Sequence, residues 1–88
     1  MALLTEQEDR LRQILSMLDQ LAEDSSVPRN VRRGAQSAKD RLLLQTEPMD
    51  LRAATANSVL DDLANDPNIP LHGRTAIWNI MSQLETLK

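Results

Sequence analysis

The sequence predicts an all-α fold, an up-and-down antiparallel four-helix bundle built from two related helical hairpins, and three observations carry that prediction. First, residues 10–42 align with residues 52–84 at a constant offset. Ten of the 33 positions are identical: Arg10/Arg52, Ser16/Ser58, Leu18/Leu60, Asp19/Asp61, Leu21/Leu63, Ala22/Ala64, Asp24/Asp66, Pro28/Pro70, Arg32/Arg74 and Leu42/Leu84. Self-similarity of this kind marks a repeated supersecondary unit. Second, Trp78 is the single aromatic residue among 88. The core therefore consists of Leu, Ile, Val, Ala and Met, a set poor in the residues that favour strands. Third, apolar residues recur at spacings of three and four in four segments, separated by short breaks that carry proline.

In the first segment Leu11, Ile14, Leu18 and Leu21 form one stripe, the mark of a helix with one buried face. Thr5 followed by Glu8 is a capping-box signature for its start. Leu4 and Asp9 make no hydrophobic staple. The segment ends near Glu23-Asp24-Ser25-Ser26, and Pro28 suits the first turn of a second helix, where a missing N–H costs nothing. Val31, Ala35, Ala38 and Leu42 supply the second stripe, and Gln45-Thr46-Glu47-Pro48 is the break between copies. The third helix runs from about Met49 to Asn65, with Ala53, Ala56, Val59 or Leu60, and Leu63 inward. Asn65-Asp66-Pro67-Asn68 is a turn, Pro70 opens the fourth helix as Pro28 opens the second, and Gly73, Ile77, Ile80, Leu84 and Leu87 line its stripe.

Short links make sequential helices antiparallel neighbours, so residues 1–88 form a single helical domain. The rival is a superhelical stack of the two hairpins, but two units are few for a solenoid and these lack polar caps. The aligned stripes differ in size. Ala35 and Ala38 correspond to Ile77 and Ile80, and Ala53 and Ala56 to Leu11 and Ile14. Large residues of one copy are expected to fill the space left by small residues of the other, so that neither hairpin folds alone.

The chain has no cysteine, which excludes disulfide staples and thiolate metal sites. Its net charge is −3 and its pI is near 5.0, not the balance expected of a nucleic-acid binder. The longest apolar run is Leu42-Leu43-Leu44, far short of a membrane span, and the first residues lack the pattern of a secretory signal. A cytoplasmic location with no membrane partner is expected.

Three stretches, Val27–Arg33, Arg52–Ala56 and Asn65–Glu85, resemble a family of short archaeal proteins of uncharacterised function. The resemblance covers most of the chain, and the third stretch is specific. It implies an archaeal cytoplasmic protein folded as an up-and-down four-helix bundle, and it implies no activity. Gly34 and Gly73 lie inside helices two and four, each at a cost of roughly 0.5–1 kcal/mol against Ala.

The doubled pairs Asp24/Arg32 and Asp66/Arg74 are the sharpest constellation. One reading is a two-fold anion or partner site. The other is architectural: each Asp stabilises the start of the next helix, and each Arg packs back over the loop. Trp78 corresponds to Gln36, so the repeat does not require an aromatic residue there. It reads either as an interface anchor or as a cover for the bundle edge. Leu42, Leu43 and Leu44 cannot all face one core, so Leu43 and Leu44 join Trp78 as possible interface residues, with Leu3 and Leu4 as possible additions. Arg29, Arg32 and Arg33, with Lys39 and Arg41, make helix two the most basic element. A phosphate-contacting stripe is one reading, but Asp40 interrupts it and no aromatic residue lies among the cations to stack on a base.

Asp61, Asp62 and Asp66 match no calcium loop. His72 is the only histidine and has no second ligand at metal spacing. There is no nucleophile motif and no glycine-rich phosphate loop. No cofactor and no enzymatic activity are expected. The sequence reads as a small helical protein-interaction or accessory-subunit protein, with protein partners or self-association. The alternative is a nucleic-acid-associated accessory protein using basic helix two.

Overall fold

The computed structural model describes residues 5–87. Thr5 starts the first helix as its sequence predicts. Its hydroxyl accepts from the Glu8 backbone N–H at 3.0 Å, and the Glu8 carboxylate accepts from the Thr5 N–H at 3.4 Å. This reciprocal pair satisfies two of the N–H groups that a helix start leaves without partners. Helix α1 (Glu6–Ala22), α2 (Arg29–Leu42), α3 (Met49–Ala64) and α4 (Leu71–Leu84) follow in order, and a short 3₁₀ turn (Glu85–Leu87) ends the described chain. No strand occurs among the described residues.

All three connections use one design. A C-cap residue in right-handed helical conformation (Glu23, Leu43 or Asn65) is followed by a tight turn and an extended proline (Pro28, Pro48 or Pro70). The proline is the N-cap itself, one residue earlier than the first-turn position expected from the sequence. It has no side chain to cap with, and its carbonyl accepts from the N–H four residues on: Arg32 to Pro28 at 3.1 Å, Arg52 to Pro48 at 3.0 Å and Arg74 to Pro70 at 3.1 Å. The same arginines mark a Pro-x-x-x-Arg pattern present at every connection. Two of them reach back to the preceding helix. Arg52 Nη1 donates to Leu42 O at 2.8 Å, and Arg74 Nε donates to Ala64 O at 3.1 Å. Carbonyls at a helix C-terminus lack intrahelical partners and carry the negative end of the helix dipole. Since α3 has no basic residue in its last turn, Arg74 supplies from α4 the positive charge that α3 lacks.

The helices form a four-helix bundle rather than a stack. α1 packs against α2 and α4, and α3 packs against the same two, while neither diagonal pair has Cα atoms within 8 Å of each other. The 3₁₀ turn touches α1, α3 and α4 and buries Leu87 at their junction, and Gln7 Nε2 donates to Leu87 O at 3.2 Å.

The core is aliphatic throughout. Among the described residues no polar or charged residue is buried. Ile14, Leu18, Val31, Leu42, Leu60, Ile77, Ile80 and Leu84 are fully enclosed, as are Ala35, Ala38, Ala53 and Ala56. The small residues are distributed with a purpose. α2 and α3, the two alanine-faced helices, share the most extensive close backbone approach. Gly34 belongs to that contact: a Cβ there would lie 2.9 Å from Leu63 Cγ. Leu63 and Leu11, both expected inside, are half-buried. Leu63 rests on the α2 surface at Gly34, and Leu11 borders an open groove.

Candidate interaction surface

The faces turned away from the core differ sharply between α2 and α4, whose residues align at the offset of 42. On α2, Arg29, Arg33, Gln36 and Asp40 are exposed. The aligned residues of α4 are Leu71, Thr75, Trp78 and Ser82, all exposed as well. Lys39 and Arg41 align with Met81 and Gln83. Thus every charged residue of α2 except Arg32 has an uncharged counterpart on α4. Arg32 aligns with Arg74, which is turned inward to the α3 C-terminus, and its Nη2 also donates to Asp66 O at 3.1 Å.

What remains outside on α4 is an uncharged surface with large apolar groups. Leu71 is 73% exposed and Trp78 is 54% exposed. Leu71, Thr75 and Trp78 are spaced by four and three residues, which places them on one face of the helix. Trp78, flagged by the sequence as an edge cover or an anchor, stands outside the buried cluster.

The other flagged residues lie elsewhere. Leu43 is the C-cap of α2 and Leu44 begins the α2–α3 connection, and both are exposed. Arg29, Arg32 and Arg33 lie in the first turns of the same helix, roughly 15–20 Å from Leu43 along its axis. Arg29 and Arg33 are exposed, and Arg32 is half-buried with its Nε unpartnered. Lys39 forms an ion pair with Asp19 across α1 and α2, and Arg41 pairs with Glu47 at 3.2 Å. The basic character of α2 is thereby reduced to two outward cations near its start. Leu3 and Leu4 lie outside the described residues.

Leu43 also lines an open groove of about 860 Å³, with Leu11, Leu15 and Met49 as its apolar lining and Arg12 and Arg52 among its charged residues. Lys39 and the anions Glu8 and Asp19 line it as well, so the groove presents no single sign of charge.

A polar cluster that the sequence reading missed joins the two hairpins. His72 Nε2 lies 2.7 Å from Ser26 Oγ and 3.1 Å from Asp24 Oδ2. At the aligned position of the other hairpin, Asn30 Nδ2 donates to Asp66 Oδ2 at 2.7 Å. Asn30 aligns with His72 and Asp24 aligns with Asp66, so the two bonds are one cross-hairpin contact made twice. Asn30 and His72 differ in type, so nothing in the alignment marks the contact. Each carboxylate also accepts from a backbone N–H two residues on: Asp24 from Ser26 at 2.9 Å and Asp66 from Asn68 at 2.8 Å. These are turns closed by a side chain within the loop. Neither Asp caps the next helix, where proline is the N-cap and makes no side-chain bond.

Hydrogen bonds from Ser26, with the nearby His72, hold the Asp24 carboxyl below its usual range. Asn30, followed by the Asn68 N–H and Arg74, does the same for Asp66. Ser26, His72 and Asp24 do not form a proton relay. The serine hydroxyl donates to Asp24, and both groups meet the same ring nitrogen, whereas a relay needs the acid on the other one. Among the described residues no three His, Cys, Asp or Glu side chains gather where a metal ion could be held, and no helix is long and apolar enough to cross a membrane.

Comparison with known proteins places the chain in a family. Residues 1–87 match the Uncharacterised protein family (UPF0147), and the chain belongs to it. A UPF0147 protein of Methanosarcina acetivorans is 54% identical over 77 residues, covering 88% of this chain and 79% of that protein. A UPF0147 protein of Methanocaldococcus jannaschii is 47% identical over 81 residues, covering 92% and 87%. The crystal structure of a UPF0147 protein from Thermoplasma acidophilum superposes with a TM-score of 0.90 at 45% identity, covering 93% of this chain and 96% of that one. These relatives are archaeal and the family is uncharacterised, in agreement with the resemblance read from the sequence.

Proposed function

We propose, for this member of a family without an assigned activity, that the chain is a small non-enzymatic helical interaction or accessory-subunit protein of the cytoplasm, docking through the outer face of α4. One observation carries the reading: α4 exposes Leu71 and Trp78 on a face whose only cation, Arg74, is turned inward. Depletion of charge around an exposed tryptophan is the compositional signal of an interface core. The wholly aliphatic core and the mixed-sign groove favour a scaffold over a catalyst. The alignment at an offset of 42 supports an origin of the two hairpins as copies of one unit.

The alternative, a nucleic-acid-associated accessory protein, draws on Arg29 and Arg33, which are exposed and in no ion pair among the described residues. Affinity capture from an archaeal lysate separates the two. Partners that survive nuclease and are lost with a Trp78→Glu bait support docking through α4. Partners lost on nuclease treatment and with an Arg29→Glu/Arg33→Glu bait support the alternative.

A further inference from the structure

We infer that the outer face of α4 pairs with the same face of a second copy of this chain, the two α4 helices running antiparallel about a two-fold axis beside Thr75. The inference rests on the reading of this face as a docking surface and names its occupant.

Two properties of the face favour a copy of itself. One is shape. Leu71, Thr75 and Trp78 form a large–small–large series on one side of the helix. An antiparallel two-fold centred between positions 74 and 75 sets Trp78 of each chain against the partner's Leu71 and brings the two threonines together at the crossing. A two-fold contact needs self-complementarity of this kind. The other is charge. The chain is net negative, so two copies repel in general. Between positions 71 and 82 of this face the cations of α2 other than Arg32 are replaced by neutral residues, and Arg74 is turned to the α3 C-terminus, so self-contact over that stretch brings no like charges together. The equivalent contact between two α2 faces would set Arg29 against the partner's Gln36 and crowd the two Arg33 side chains at the axis. A domain of this size also gains from association, since its own core is small.

The absence of cysteine makes the geometry directly testable. Packed helices lie about 8–10 Å apart with Cα radii of about 2.3 Å, which leaves facing Cα atoms at the axis within disulfide reach. Under mild oxidation Thr75→Cys should form a covalent dimer at least about ten-fold faster than Arg33→Cys, its counterpart on α2. Sedimentation equilibrium of the unmodified chain should show a dimer that Trp78→Glu weakens at least about ten-fold at unchanged helicity by circular dichroism. Equal cross-linking rates at the two positions, or an unmodified chain that stays monomeric at millimolar concentration, overturns self-pairing. The underlying reading fails on a different measurement, capture of the same partners by unmodified and Trp78→Glu baits.

Discussion

Helices α2 and α4 occupy equivalent places in the two hairpins, begin on a proline, and carry an arginine at the same register, yet they divide their residues in opposite ways. α2 is thin inside and charged outside: Ala35 and Ala38 face the core, and Arg29, Arg33 and Asp40 face water. α4 is thick inside and uncharged outside: Ile77 and Ile80 face the core, and Leu71, Thr75 and Trp78 face water. The elements that agree are those on which the connection depends, the proline cap and its following arginine. Those that differ are free of that constraint. Core volume needs only to be conserved across the bundle, so large and small residues are redistributed. The outside needs only to remain compatible with solvent or with a partner, so one helix kept charges and the other did not.

The largest expected effect breaks the inner contrast. Ile77→Ala should lower unfolding stability by about 2–5 kcal/mol in urea denaturation. Ala35→Ile, which brings α2 to the size of α4 where the helices already lie close, should lower it by about 1–3 kcal/mol. If Ala35→Ile stabilises, α2 is not the tight side.

The glycines sharpen the same contrast. A Cβ on Gly73 would lie 2.9 Å from Val27 Cγ1 and 3.0 Å from Ile69 Cγ1, both in buried residues. Gly73→Ala should therefore destabilise by about 1–3 kcal/mol. A Cβ on Gly34 would come closer still to its neighbour, 2.7 Å from Leu63 Cδ2 and 2.9 Å from Cγ, but the near atoms all belong to one half-buried side chain that can turn outward. The gain in helix propensity of about 1 kcal/mol should bring Gly34→Ala close to the unmodified stability.

Arginines of one sign but different placement come next. Arg74→Met removes the donor to Ala64 O and should cost about 1–2 kcal/mol. Arg33→Met, on the exposed face of α2, should stay within about 0.5 kcal/mol. Equal effects would mean that Arg74 does not hold the end of α3.

The smallest effect concerns the loops at the shared end. Asp24 and Asp66 are held below the usual carboxylate range. Their contribution is present above the unfolded-state value of about 3.9 and is lost as pH falls through the folded values. Acid titration followed by circular dichroism should show stability falling below about pH 4. An Asp24→Asn/Asp66→Asn variant should show a shallower fall over that range.

Much of the fold was legible because it depends on local chemistry. Thr5 and Glu8 announce a helix start, prolines mark the breaks, and apolar spacing assigns Ile14, Leu18, Val31, Ala35, Ile77 and Leu84 to the core. The Pro-x-x-x-Arg pattern was legible too, but the offset of 42 pairs Arg52 with Arg10 rather than with Arg32 and Arg74, which hid the third occurrence. The candidate surface was legible only in part. Trp78 stood out as the lone aromatic residue, whereas Leu71 is an ordinary leucine at a helix start until exposure shows that nothing covers it.

The bonds from His72 to Asp24 and from Asn30 to Asp66 join residues more than 30 positions apart, and no local pattern reports such a pairing. Helix class, boundaries to within a residue or so and most of the inward stripe follow from the order of residues alone, because propensity, capping and periodicity act within a few positions of each residue. Which helices lie closest, which arginine turns inward and which leucine stays wet were decided by the closed bundle, because burial depends on the neighbours that the remaining helices provide.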